Sequence, residues 1–216
     1  ATPTISKTWT VDTSLHRVEI SEVLASNPAG VLGTTSDLIE LYNPSAAAFD
    51  LSDMSLSDNP DNPRKFVFPA GTSIPAGGYL VLHGDDLPSA AGEMHVGFGL
   101  KANEGDGVYL FAAPAAGGDL VDSVEFGVQI ADHSIARLGH YGAWGLAQPS
   151  FGAANVAQRT GDPRNLNINE WFTAGQYVLG GEAHTNDFIE LYNADVLPVA
   201  LGGLHLTDDI VAGRTK

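Results

Sequence analysis

The sequence predicts an all-β protein, a sandwich or a barrel, and three observations carry that prediction. Apolar and aromatic residues fall in runs of strand length, clusters of Gly, Pro, Asn and Asp cut the runs apart, and apolar residues nowhere keep helical spacing for three turns. In order, the runs are Val18-Glu19-Ile20, Leu38-Ile39-Glu40-Leu41-Tyr42, Phe66-Val67-Phe68, Tyr79-Leu80-Val81-Leu82, Val108-Tyr109-Leu110-Phe111 and residues 120–126. Between them lie Asn27-Pro28, Asn43-Pro44, residues 58–63, Pro69-Ala70-Gly71, Pro75-Ala76-Gly77-Gly78 and Glu104-Gly105-Asp106-Gly107. Such residues supply the fixed or left-handed φ values that end strands and reverse the chain. Residues 104–107, followed at once by an apolar run, read as a hairpin entry.

Alternation assigns the faces. Ile39 and Leu41 share one side of their strand, and Leu38, Glu40 and Tyr42 share the other. A strand apolar on both sides is expected to be central, with Glu40 partnered or near the sheet's end. Tyr79-Leu80-Val81-Leu82 has the same two-sided character and is expected to be the other core strand.

Composition removes whole classes of function. With 10 Lys plus Arg against 26 Asp plus Glu, the net charge of −16 repels nucleic acid and anionic membranes. The absence of cysteine removes disulfide frameworks, thiolate zinc sites and thiol nucleophiles. No apolar stretch approaches the ~20 residues needed to span a bilayer, so membrane insertion is not expected. An acidic, Lys-poor chain leans towards export with its leader removed, so an extracellular or cell-surface location is expected.

An internal repeat changes the domain count. Asp37 and Ile39-Glu40-Leu41-Tyr42-Asn43 recur 150 positions on, as Asp187 and Ile189-Glu190-Leu191-Tyr192-Asn193. Ile20-Ser21-Glu22 is matched by Ile168-Asn169-Glu170, and Leu51, Leu56 and Asp58 by Leu201, Leu206 and Asp208. Three blocks in one order imply a tandem domain. The second copy reaches Lys216 opposite Phe66, so it is expected to hold only the first strands of the fold. The expected organisation is an N-terminal extension or linker over 1–17, a first domain over 18–155, a linker over 156–165 and a partial second domain over 166–216.

The same residues carry a family resemblance. Ile20-Ser21-Glu22, residues 37–44 and 50–58, then residues 68–82 and the closing Ser150-Phe151-Gly152-Ala153-Ala154-Asn155 resemble the lamin-tail domain as it occurs in bacterial multidomain proteins. The resemblance implies an immunoglobulin-like β-sandwich, with a partial second sandwich, used as a noncatalytic module beside enzymes or adhesive domains. The function it implies is an interaction, adhesion or spacer role in a larger exported protein, with protein as the partner. Self-association through the incomplete second domain is expected too. The alternative is a carbohydrate-binding module stabilised by calcium.

Candidate sites are few. Asp53, Asp58, Asn59 and Asp61 gather hard oxygen ligands of the kind calcium takes, but Asx-turns around Pro60 and Pro63 explain the same residues without metal, and no cofactor is expected. Glu22 and Glu40, repeated as Glu170 and Glu190, could be read as a glycosidase pair, which needs a sugar cleft between the two carboxylates; a structural role is expected. His83 with Asp85 and Asp86 is the most metal-like histidine cluster, and reads as a polar loop. Tyr141 and Trp144 could present rings for stacking on a ligand; such a Trp more often plugs the end of a sandwich. No Gly-x-Ser-x-Gly elbow or phosphate-binding loop occurs, and an enzyme is not expected.

Overall fold

The computed structural model describes residues 18–89, 92–140, 142–179 and 181–208. Two expectations lie outside them, the role of residues 1–17 and the placement of Tyr141, and the expected second domain is described only as far as Asp208. The chain divides into two compact units, one reaching Gln158 and the other starting at Arg159.

The first unit is an immunoglobulin-like sandwich. Its strands are β1 (Glu19–Leu24), β2 (Asp37–Tyr42), β3 (Phe49–Asp50), β4 (Ser55–Ser57), β5 (Phe66–Val67), β6 (Ser73–Ile74), β7 (Tyr79–Gly84), β8 (Asp106–Phe111), β9 (Leu120–Phe126), β10 (Ser134–Arg137), β11 (Trp144–Gln148) and β12 (Val156–Ala157). One sheet runs β12-β11-β10-β1-β2-β7, the facing sheet β5-β4-β8-β9, and β3-β6 forms a small ribbon. Ile20, Val23, Ile39, Leu41 and Leu82 of the first sheet meet Leu56, Val108, Leu110 and Val124 of the second in one buried cluster. Phe68, Leu51 and Ile74 join it from the connecting segments. Burial of this kind is worth about 25 cal/mol per Å² of apolar surface, and it dominates what holds the sheets together.

Alternation places β2 correctly. It lies between β1 and β7, with Ile39 and Leu41 in the core and Glu40 on the opposite face. The expectation for Tyr79-Leu80-Val81-Leu82 needs correction, because β7 is the outermost strand of its sheet. Leu82 is buried and Leu80 packs on the core, but Tyr79 and Val81 are only half-buried. Tyr79 is apolar on the outer face because it stacks on Tyr42, with ring centroids 4.7 Å apart. Val156 and Ala157, read as linker, instead pair with β11 as a short edge strand.

The second unit contains β13 (Leu166–Phe172), β14 (Tyr177–Leu179), β15 (Glu182–His184) and β16 (Phe188–Asn193). Its β13–β16 ladder has the register of the β1–β2 ladder. Ile168 faces Leu191 and Glu170 faces Glu190, with a register shift between. In the first unit Ile20 faces Leu41 and Glu22 faces Glu40, with the shift in the same place. The turns that follow match as well. Asn43 donates from Nδ2 to the Ala47 carbonyl at 2.8 Å, and Asn193 does the same to Leu197 at 2.8 Å. Asp53 (φ 61°) and Gly203 (φ 80°) then occupy left-handed positions 150 residues apart. Burial separates the two units: β1 is buried throughout, whereas Ile168, Trp171, Ile189, Leu201, Leu204 and Leu206 are exposed.

Candidate functional site

The outer face of the six-stranded sheet is closed by the segment after β11. Glu22 and Glu40 are cross-strand partners on that face, and both side chains are fully buried, at 0% exposure. Glu22 accepts hydrogen bonds from the Ser134 hydroxyl at 2.5 Å and from the Ser150 N–H at 3.0 Å. Glu40 accepts from the Gly152 N–H at 2.5 Å. Asn155 then donates to the Ser21 carbonyl and the Arg137 carbonyl, at 3.0 and 2.9 Å. Burial pushes the Glu40 carboxyl up to about 7, opposed by the Gly152 hydrogen bond and reinforced by the neighbouring Glu22 charge. Burial pushes Glu22 up as well, against its hydrogen bonds from Ser134 and Ser150. A glycosidase pair must reach a sugar. These two carboxylates are spent on fastening residues 150–155 to the sheet.

The acidic loop is organised by pairing with cations of the protein itself. Asp53 meets the Arg64 guanidinium at 2.6 Å, and Asp58 holds the Lys65 ammonium at 2.5 Å. Asn59 Oδ1 accepts the Asp61 N–H at 2.9 Å, which is an Asx-turn, and the Ser57 hydroxyl donates to the Asn59 and Asn62 carbonyls. Among the described residues, the three acids of this loop form no common cluster of ligand atoms; one such cluster, of His83, Asp85 and His95, stands at the end of β7.

Trp144 opens β11 directly opposite Arg137 of β10, and the guanidinium lies over its ring at 4.9 Å. The indole is half-buried and packs on the core. It also lines a groove of about 370 Å³ between β9 and β10–β11, together with Val124, Phe126, Ile135 and Leu146. One end of this groove is clamped. Beyond the last β1–β10 pair, Glu22 with Ala136, the Ile20 N–H donates to Asp122 Oδ2 at 2.8 Å and its carbonyl accepts from Arg137 Nε at 3.0 Å. Arg137 Nη2 closes the triangle on Asp122 Oδ1 at 2.6 Å. The clamp fixes how far β9 stands from β10. Past it, β9 is paired with β8 on one side only among the described residues. The sequence pointed to Trp144 but to neither Asp122 nor Arg137, which lie 15 positions apart and meet only through the fold.

The first unit is thus a sandwich with an open strand edge, an apolar groove beside it and glutamates committed to its own closure, an architecture that interaction modules commonly use. A family profile described as Lamin Tail Domain matches residues 12–127, more than half of the chain. The protein therefore belongs to the lamin tail domain family, whose immunoglobulin-like domains are noncatalytic. Comparisons with curated proteins and with solved structures found no match.

Proposed function

We propose that the chain is an interaction module of a larger exported bacterial protein, and that it binds an extended segment of a protein partner along β9. The groove beside Trp144 supports this reading above any other feature. A strand edge offers backbone hydrogen bonds, and a flanking apolar trough takes the alternate side chains of the incoming segment. Val124, Phe126 and Leu146 with the Trp144 indole provide such a trough. On the same reading, the shared register of β13–β16 makes the second unit a further copy of the first strands of the sandwich, and its exposed apolar face a surface for self-association.

The test is selection of peptides from a random display library on the full chain. Selected peptides should lose at least tenfold in affinity on Trp144→Ala, keep most of it on Trp144→Phe, and ignore Asp61→Ala. Peptides indifferent to Trp144→Ala overturn the groove. Failure to select any peptide, with binding to a panel of soluble oligosaccharides instead, replaces the protein partner by a carbohydrate.

A further inference from the structure

We infer that His83, Asp85 and His95 form a binding site for a divalent transition metal, with zinc the best fit. The backbone brings the three together for identifiable reasons. His83 is the penultimate residue of β7 and Asp85 follows just past the strand's end. The chain then returns alongside in parallel: the His83 N–H donates to the Met94 carbonyl at 2.8 Å, and the Val96 N–H donates to the His83 carbonyl at 2.9 Å. That bridge sets His95 beside His83, with the imidazoles stacked at 4.8 Å between centroids. One ligand atom from each of the three residues lies within 4.8 Å of the others.

The pairing already present accounts for only part of the cluster. His95 Nδ1 meets Asp85 Oδ1 at 2.5 Å, and an ordinary hydrogen bond or ion pair explains that contact. It leaves His83 unexplained. That side chain is buried, at 9% exposure, and its Nδ1 has no hydrogen-bond partner among the described residues. Buried polar atoms of this kind are uncommon and need a partner. A cation bound between the imidazoles and the carboxylate supplies one.

The donor set argues for the kind of ion. Two imidazole nitrogens and one carboxylate oxygen suit zinc, with bonds of about 2.0–2.2 Å, whereas calcium takes six to eight oxygens. Closing the cluster onto such an ion needs the widest ligand pair to approach by about 1.5 Å, within reach of side-chain rotation. Outer partners are in place. The Ser36 hydroxyl donates to the other Asp85 oxygen, the Leu87 N–H donates to Oδ1 at 2.9 Å, and Glu93 lies 3.7 Å from His95 Nε2, where it can orient the ring. Three protein ligands leave the fourth position to water. The ion would pin the returning segment 94–97 against the exposed side of β7.

Zinc chloride is titrated into the full chain after dialysis against a chelator, followed by calorimetry and by thermal unfolding. One equivalent should bind, and Tm should rise by several degrees. His83→Ala, Asp85→Asn and His95→Gln should each weaken binding at least tenfold, while Asp58→Asn leaves it unchanged. Calcium chloride should not move Tm. With cobalt chloride, a four-coordinate absorption near the red end of the visible spectrum should appear and be lost in His95→Gln, a variant whose fold is checked by circular dichroism. Zinc binding that survives all three substitutions, or no binding at about millimolar zinc, overturns the site.

Discussion

Glu40 shows what burial does to a single side chain. Its carboxyl, ordinarily near 4.5, is pushed up to about 7, chiefly because the charged form is poorly solvated between β1, β2 and the closing segment. An acid whose pKa is higher folded than unfolded holds its proton more tightly in the folded state. Its contribution to stability is therefore complete below about 4.5 and is lost as pH rises through about 7. At about 1.4 kcal/mol per pKa unit, the full loss is on the order of 3 kcal/mol. The urea midpoint should fall between pH 5 and pH 8, and Glu40→Gln should flatten that fall and be the more stable protein at pH 8. A variant whose profile runs parallel to the parent's would show that another group is responsible. Asp37, pushed up to about 6 mainly by burial and opposed by the Leu100 N–H, and Glu22, raised mainly by burial, have the same sign and set the slope that remains.

At the scale of elements, two fasteners decide whether the sandwich closes. Asp122 ties β9 to the Ile20 N–H and to Arg137, and both side chains of the ion pair are largely buried. Asp122→Ala leaves that N–H unsatisfied and a guanidinium unpaired, and should cost about 2–4 kcal/mol in chemical denaturation. Asp122→Asn, which keeps one acceptor, should cost less. Asn155→Ala removes the donor shared by the Ser21 and Arg137 carbonyls; it should cost about 1–2 kcal/mol and speed hydrogen exchange across residues 150–157 ahead of the core. The strands legible in the sequence were those whose own residues declare them, such as β2 and β9, rich in apolar, β-branched or aromatic side chains. The small, mixed sequences of β10 and β11, Ser134-Ile135-Ala136-Arg137 and Trp144-Gly145-Leu146-Ala147-Gln148, carry little local signal. They are strands because the edge of β1 needs a partner. The same reasoning applies to sites. Glu22 and Glu40 were visible as a repeated pair, but their partners Ser150 and Gly152 lie over a hundred residues away. His95 was missed because only the parallel return of the chain sets it beside His83.

For the whole molecule, the second unit stands out by the apolar side chains it leaves exposed. A groove of about 390 Å³ opens between Leu166, Ile168 and Leu191 on one side and Leu201, Leu204 and Leu206 on the other. Their counterparts in the first unit, Val18, Ile20, Leu41, Leu51, Met54 and Leu56, are buried in the core. Exposed apolar surface of this extent drives association. Size-exclusion chromatography with light scattering should report a dimer or larger species, and Ile168→Lys should shift it to the monomer. The result should be the same in calcium and in EDTA, because Arg64 and Lys65 already occupy Asp53 and Asp58. A monomer that resists protease across residues 166–208 would count against association through this face.

The common register of the two ladders has a kinetic consequence. Because β1–β2 and β13–β16 share the same pairing and the same register shift, each strand of one ladder is a ready template for its counterpart's partner. During folding, β16 can therefore compete with β2 for the edge of β1. Ladders in one chain with near-identical pairing codes are prone to this kind of crossed assembly. The chain should refold more slowly, and with more trapped material, than one in which Ile189-Glu190-Leu191 has been recoded.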